Sequence, residues 1–174
     1  MQVLCEIKLP AYLAADNPFE VVSRPERCAG CGGADCLQRH GTYSRYIGEA
    51  RRKVARFLCA LCGLTVSLLP RCVLPYRPRL VAEVARYFAA DDTARPDLPA
   101  ADTLRRYWRE WCGHCPVLQR TGWPPVRPLA RDPRGYWRHL RAAGGVAAAQ
   151  AQLVARYGLA LLRRYACHRV PACA

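Results

Sequence analysis

Two C-x-x-C-Gly strings, Cys28-Ala-Gly-Cys31-Gly and Cys59-Ala-Leu-Cys62-Gly, restrict this chain more than any other feature. A C-x-x-C turn sets two thiolates on one side of a tight bend. It turns backbone N–H groups toward the sulfurs and leaves a strained position after the second ligand that glycine relieves. Two such turns at opposite ends of a hairpin close a tetrahedron of sulfur, and four thiolates leave a zinc ion no open coordination position. The spacing therefore predicts one structural Zn2+ held by Cys28, Cys31, Cys59 and Cys62. A competing set, Cys28-x2-Cys31-x4-Cys36-x3-His40, has the spacing of a closed knuckle but gives the second C-x-x-C-Gly no purpose. In the ribbon reading Cys36 and Cys72 are packed thiols.

Around the knuckles the pattern is β-rich. Leu37 to Tyr46 leads into a polar turn over 48–52, Lys53 to Leu58 returns, and Thr65 to Leu69 makes a third strand ended by Pro70. The fold class expected is α+β: an N-terminal zinc ribbon, built as a three-stranded antiparallel sheet, followed by a helical, helix-turn-helix-like region. The boundaries read as an N-terminal arm (1–24), the ribbon (25–75) and the helix-turn-helix-like region (76–115). A Pro-rich linker (116–134) and a C-terminal helical segment (135–174) complete the chain. Val81, Val84, Ala85 and Phe88 repeat at i, i+3, i+4 and i+7, and so do Leu104, Tyr107, Trp108 and Trp111 behind an Asp102 N-cap. The second helix presents Arg105, Arg106 and Arg109 on its other face. In the last segment Leu153, Val154, Tyr157, Leu161 and Tyr165 keep helical period, a stripe suited to core packing or to a homodimer or separate recombinase.

Charge points to the partner. Lys and Arg number 27 against 13 Asp and Glu, a net +14, so a polyanion is expected, and a helix pair with an arginine face is what insertion into the major groove of double-stranded DNA needs. At 174 residues and 52% hydrophobic the chain folds but has no room for a large catalytic core. Its apolar runs are too short to span a bilayer, and Glu6 and Lys8 interrupt any secretory h-region. A cytoplasmic, membrane-free protein is expected, and in a reducing compartment its 11 cysteines favour metal over disulfides. A third C-x-x-C lies in Trp111-Cys-Gly-His-Cys115, the string of protein disulfide isomerases. Its readings are a thiol-disulfide oxidoreductase using Cys112 and Cys115, a second metal site completed by His114 or by Cys167, His168 and Cys173, or a plain helix end.

From Pro25 to Trp111 the strings CAGCGG, Leu-Gln-Arg-His-Gly-Thr-Tyr-Ser-Arg, Val-Ala-Arg-Phe-Leu-Cys-Ala-Leu-Cys-Gly, Thr-Val-Ser-Leu-Leu-Pro and Leu-Pro-Tyr make a longer pattern. It resembles the zinc-ribbon and helix-turn-helix front end of bacterial transposase-associated proteins. The resemblance implies zinc-dependent DNA binding, with the four knuckle cysteines as ligands and Arg39, His40 and Arg45 as a basic strand face. Arg51, Arg52 and Lys53 would extend that face, and Arg105, Arg106 and Arg109 would belong to a recognition helix. One departure is the proline-rich 94–101, which stands where those proteins carry a compact middle helix. Beyond Glu110 the one carboxylate is Asp132, whereas a transposase needs three to hold its metal ions. The reading is a non-enzymatic binding protein of a mobile element, whether accessory, remnant or regulator. The alternative is a ribbon that docks RNA or protein, with Tyr43 and Tyr46 able to stack on bases.

Overall fold

The computed structural model describes residues 1–120, 132–157 and 159–162. The expectations placed on Tyr165, Cys167, His168 and Cys173, and on most of the linker, lie outside them. The described residues form an α+β molecule: a four-stranded mixed sheet followed by a helical unit.

Strands β1 (Gln2–Cys5), β2 (Leu37–Ile47), β3 (Ala50–Cys59) and β4 (Thr65–Pro70) lie in the order β1-β4-β3-β2. The three expected strands are present and antiparallel, but the sheet does not stop at three. β1 adds to the free edge of β4 in parallel, pairing Val3 with Leu68 and Leu4 with Leu69. The physical reason is that β4 is buried at five of its six positions, and an uncovered edge beside such a strand would expose both its apolar side chains and its backbone groups. Residues 1–24 are therefore not an arm. They supply β1 and helix α1 (Leu9–Ala14), whose buried Tyr12 donates its hydroxyl to the Lys53 carbonyl at 3.2 Å.

The β2–β3 turn is shorter than the sequence suggests. Ile47 pairs directly with Ala50, leaving Gly48 and Glu49 as a two-residue loop with Gly48 at φ 62°. A two-residue hairpin turn demands this left-handed conformation at its first position, which glycine adopts freely. Arg51 and Arg52 consequently belong to β3 rather than to a turn. Leu37, Ile47, Val54, Ala55, Phe57, Val66, Leu68 and Leu69 fill the sheet core, and Phe19 packs edge-on against Phe57 at 5.5 Å.

Four further helices follow: α2 (Val81–Ala89), α3 (Ala101–Arg120), α4 (Pro133–Ala142) and α5 (Val146–Tyr157). The periodic residues Val81, Val84, Phe88, Leu104, Tyr107 and Trp111 are buried as their spacing requires. At the centre Phe88 meets Trp137 edge-on at 4.8 Å, and Trp111 stacks on Tyr136 at 5.7 Å. Between α2 and α3 the chain takes residues 90–100, including a 3-10 turn at Arg95–Asp97. That is longer than the turn of about three or four residues that defines a helix-turn-helix. Arg95 holds this connection: buried, it donates to the carbonyls of Tyr87 and Phe88, pairs with Asp92 at 2.9 Å and lies 4.4 Å over the Trp108 ring.

α3 also overruns the boundary expected at Cys115. Pro116 removes one helical N–H, but its ring faces solvent while Cys115 and Leu118 are fully buried on the opposite side. Packing of the following turn outweighs the missing hydrogen bond. The helical unit is fastened to the sheet by buried Gln150, whose side-chain amide donates to the Val73 carbonyl at 3.1 Å, and by the ion pair between Arg77 and Glu110. No helix among the described residues is long and apolar enough to cross a membrane.

Candidate metal centre

The two knuckles are built alike, atom for atom, along the backbone. In the first, the Cys28 N–H donates to the Gly33 carbonyl and the Gly32 N–H to the Cys28 carbonyl, both at 2.9 Å. In the second, the Cys59 N–H donates to the Leu64 carbonyl and the Gly63 N–H to the Cys59 carbonyl, again both at 2.9 Å. Gly32 and Gly63 sit at φ 74° and 71°, the left-handed position that the glycine after each second cysteine is expected to fill. N–H groups turn toward the sulfurs as the motif requires: Gly30 donates to Cys28 Sγ at 3.3 Å and Cys62 to Cys59 Sγ at 3.5 Å.

The fold brings the two turns together at one end of the sheet. The sulfurs of Cys28, Cys31, Cys59 and Cys62 all lie within 4.8 Å of one another, with Cys28 to Cys62 and Cys31 to Cys59 each at 3.7 Å. Four sulfurs bound tetrahedrally to zinc at about 2.3 Å stand about 3.8 Å apart, close to the two 3.7 Å separations, so this arrangement could hold a tetrahedral metal ion. Cys28 and Cys59 are buried and Cys31 and Cys62 exposed, so the site is half embedded in the sheet end and half open to water. This set could hold a metal ion; among the described residues no other group of cysteine, histidine and carboxylate side chains comes together in that way.

A fifth thiol stands beside the four. Cys36 Sγ is 3.3 Å from Cys59 Sγ and 3.1 Å from the Gly33 carbonyl, which accepts its S–H. Burial, and then the hydrogen bond with Cys59, push the Cys36 thiol up to about 11. Burial raises Cys59 as well, but the Cys62 N–H and the Cys36 side chain outweigh it and bring Cys59 down to about 6. Cys36 is therefore a buried thiol packed against the Cys59 sulfur, a position from which it can support that side chain's orientation. Its partner in the competing spacing, His40, sits exposed on β2 outside the sulfur cluster. Spacing alone singles out Cys36, but not that its sulfur faces Cys59.

The basic residues expected to meet nucleic acid divide into two groups. His40, Arg51, Lys53, Arg105, Arg106 and Arg109 are exposed. Arg105 is matched by Asp102 at 3.4 Å, itself almost fully solvated. Arg45 and Arg52 are instead turned into the protein. Arg45 donates to Gln2 Oε1 and to the carbonyls of Leu74 and Arg77, and Arg52 to the carbonyls of Leu13 and Arg51. Arg39 is exposed but lies over the Phe19 ring at 5.2 Å. The partners come from β1 (Gln2), α1 (Leu13), the 3-10 turn at Pro18–Glu20 (Phe19) and the loop after β4 (Leu74 and Arg77), all of which lie against the sheet.

The Trp-Cys-Gly-His-Cys string lies inside α3, not at the start of a helix after a strand. Burial, then Cys112 and Asp132, push the Cys115 thiol up to about 12, and burial raises Cys112 as well. Neither thiol has the helix N-terminus that activates a redox pair. His114 is buried and bonds to the Ala160 carbonyl at 3.1 Å. Among the described residues Cys115 and His114 are buried side chains of α3, and Cys112 is partly packed against the same core.

No family model, curated protein or solved structure matches this chain.

Proposed function

We propose that this protein is a zinc-dependent, non-enzymatic binder of double-stranded DNA, in which the metal stabilises the sheet end and the helical unit carries the main phosphate contacts. One observation carries the nucleic-acid reading. α3 buries Leu104, Tyr107 and Trp111 while Arg105, Arg106 and Arg109 stand exposed, with Asp102 paired to Arg105 and Glu110 of the same helix paired to Arg77. A row of guanidinium groups on a rigid helix suits a phosphate backbone and the acceptor edge of guanine. The net charge of +14 adds a long-range attraction of the same sign. Zinc is the ion best suited to four cysteine thiolates at this spacing. A role within a mobile element, and a homodimer or a separate recombinase as partner, rest on the sequence resemblance.

The test is metal content per chain together with duplex binding across a salt series, before and after chelation. The proposal expects one zinc and binding that falls steeply with salt and weakens when the metal is removed. Zinc without duplex binding at any salt would overturn the DNA half of the reading.

A further inference from the structure

On the reading that the chain binds a DNA duplex, we infer that α4 carries a phosphate-binding cleft in which arginines grip the backbone of that duplex. The cleft lies between α4 and the end of α2 and encloses about 340 Å³. It is lined by Arg134, Arg138 and Arg141, with Trp137, Phe88 and Asp91 among its other walls. Spacing puts the arginines there. They stand exposed at i, i+4 and i+7 and so share one side of α4, while Tyr136, Trp137 and Leu140 are buried in the core.

Three observations specify the occupant. The first is the state of the charges. Arg134 is held by Asp92, which also holds Arg95, whereas Arg138 and Arg141 form no ion pair among the described residues. Two such guanidinium groups beside an anchored third attract an anion and present the planar donor fork that suits phosphate. The negative groups nearby are already engaged. Asp91, the carboxylate of the lining, accepts from the Thr93 hydroxyl at 2.7 Å and the Ala94 N–H at 2.8 Å, and the Tyr87 and Phe88 carbonyls near the end of α2 accept from Arg95. The second observation is Trp137. It lines the cleft, and its buried Nε1–H has no hydrogen-bond acceptor, so the cleft is rich in donors and short of acceptor oxygen. The third is length. Seven residues of helix rise about 10 Å, more than one phosphate group occupies, so the row suits consecutive phosphates of a strand and not a lone ion. The cleft also adjoins α3. Asp92 links Arg134 to Arg95, Arg95 lies 4.4 Å over the Trp108 ring, and Arg105 and Arg109 stand within one turn of Trp108.

The experiment uses the full, zinc-loaded chain and three probes: a DNA duplex, inorganic phosphate and polyglutamate. The duplex is expected to shift the indole N–H resonance of Trp137, and polyglutamate, which has charge but no phosphate, to leave it in place. Arg138→Ala combined with Arg141→Ala should lower the slope of log duplex affinity against log salt by roughly 2, since each neutralised phosphate accounts for about 0.9. Both side chains are exposed, so the melting temperature should not change. Arg138→Lys with Arg141→Lys keeps both charges and should keep the slope. An unchanged slope in the alanine pair, a Trp137 signal that the bound duplex does not move, or equal movement with polyglutamate would each overturn the proposal. Movement with inorganic phosphate but not with the bound duplex would overturn the backbone as the source of the phosphate. Failure of the duplex reading looks different: no duplex would bind at any salt, while inorganic phosphate would still move the Trp137 signal and lose that effect in the alanine pair.

Discussion

Cys59 is the residue on which most of the site turns. It ends β3, receives the Cys62 N–H, touches Cys36 and completes the sulfur cluster. Cys59→Ser should release the metal and unfold the sheet, seen as a fall in metal content and a collapse of the far-ultraviolet circular dichroism of the strands. Cys36→Ala removes a neighbour and not a ligand, so it should retain one metal per chain while weakening its affinity by about tenfold or more, the usual effect of deleting a group that supports a ligand. Equal metal release in both variants would place Cys36 among the ligands. The four-cysteine cluster was legible because two C-x-x-C-Gly strings each prescribe one backbone turn. The role of Arg45 was not, because nothing local announces that a basic side chain in an exposed-looking strand will be captured by the carbonyls of Leu74 and Arg77, far along the chain.

At the scale of elements, period was a dependable guide and punctuation was not. The apolar spacing of α2 and α3 found their buried faces, whereas Pro116 suggested an end that packing of Leu118 overrides. Replacing Arg105, Arg106 and Arg109 with alanine should leave the helix intact and lower the slope of log affinity against log salt by roughly 3, since each neutralised phosphate accounts for about 0.9. An unchanged slope would remove α3 from the interface. The start of α4 gives a pH signature. Asp132 caps it by accepting the Gly135 N–H at 2.7 Å, and that hydrogen bond holds the carboxyl below its usual range. A depressed folded value means the stabilisation is full above the unfolded value of about 3.9 and is lost as pH falls through the lower folded value. Asp132→Ala should therefore lower the melting temperature at pH 7 and flatten its decline as pH falls below about 4.

On the scale of the whole molecule two cores meet, one in the sheet and one in the helices, and their junction is polar. Trp111, fully buried among Phe88, Tyr136 and Trp137, anchors the second core, and Trp111→Ala should cost about 3–5 kcal/mol by chemical denaturation. Metal removal should act on the first core, so a chelated sample with native tryptophan fluorescence and altered strand dichroism would show the helical unit holding without the metal. The ribbon hairpin was readable in the sequence because its partners are close along the chain. The fourth strand escaped because four residues of ordinary composition carry no mark of where they will pair. That same pairing gives the sheet a history. β1 meets β4 across more than sixty positions, so during synthesis at roughly 5–20 residues per second β1 waits for several seconds before its neighbour exists. The hairpin and its two knuckles are made within that interval, and β1 is the last strand to be received by a sheet that metal can already have closed at its far end.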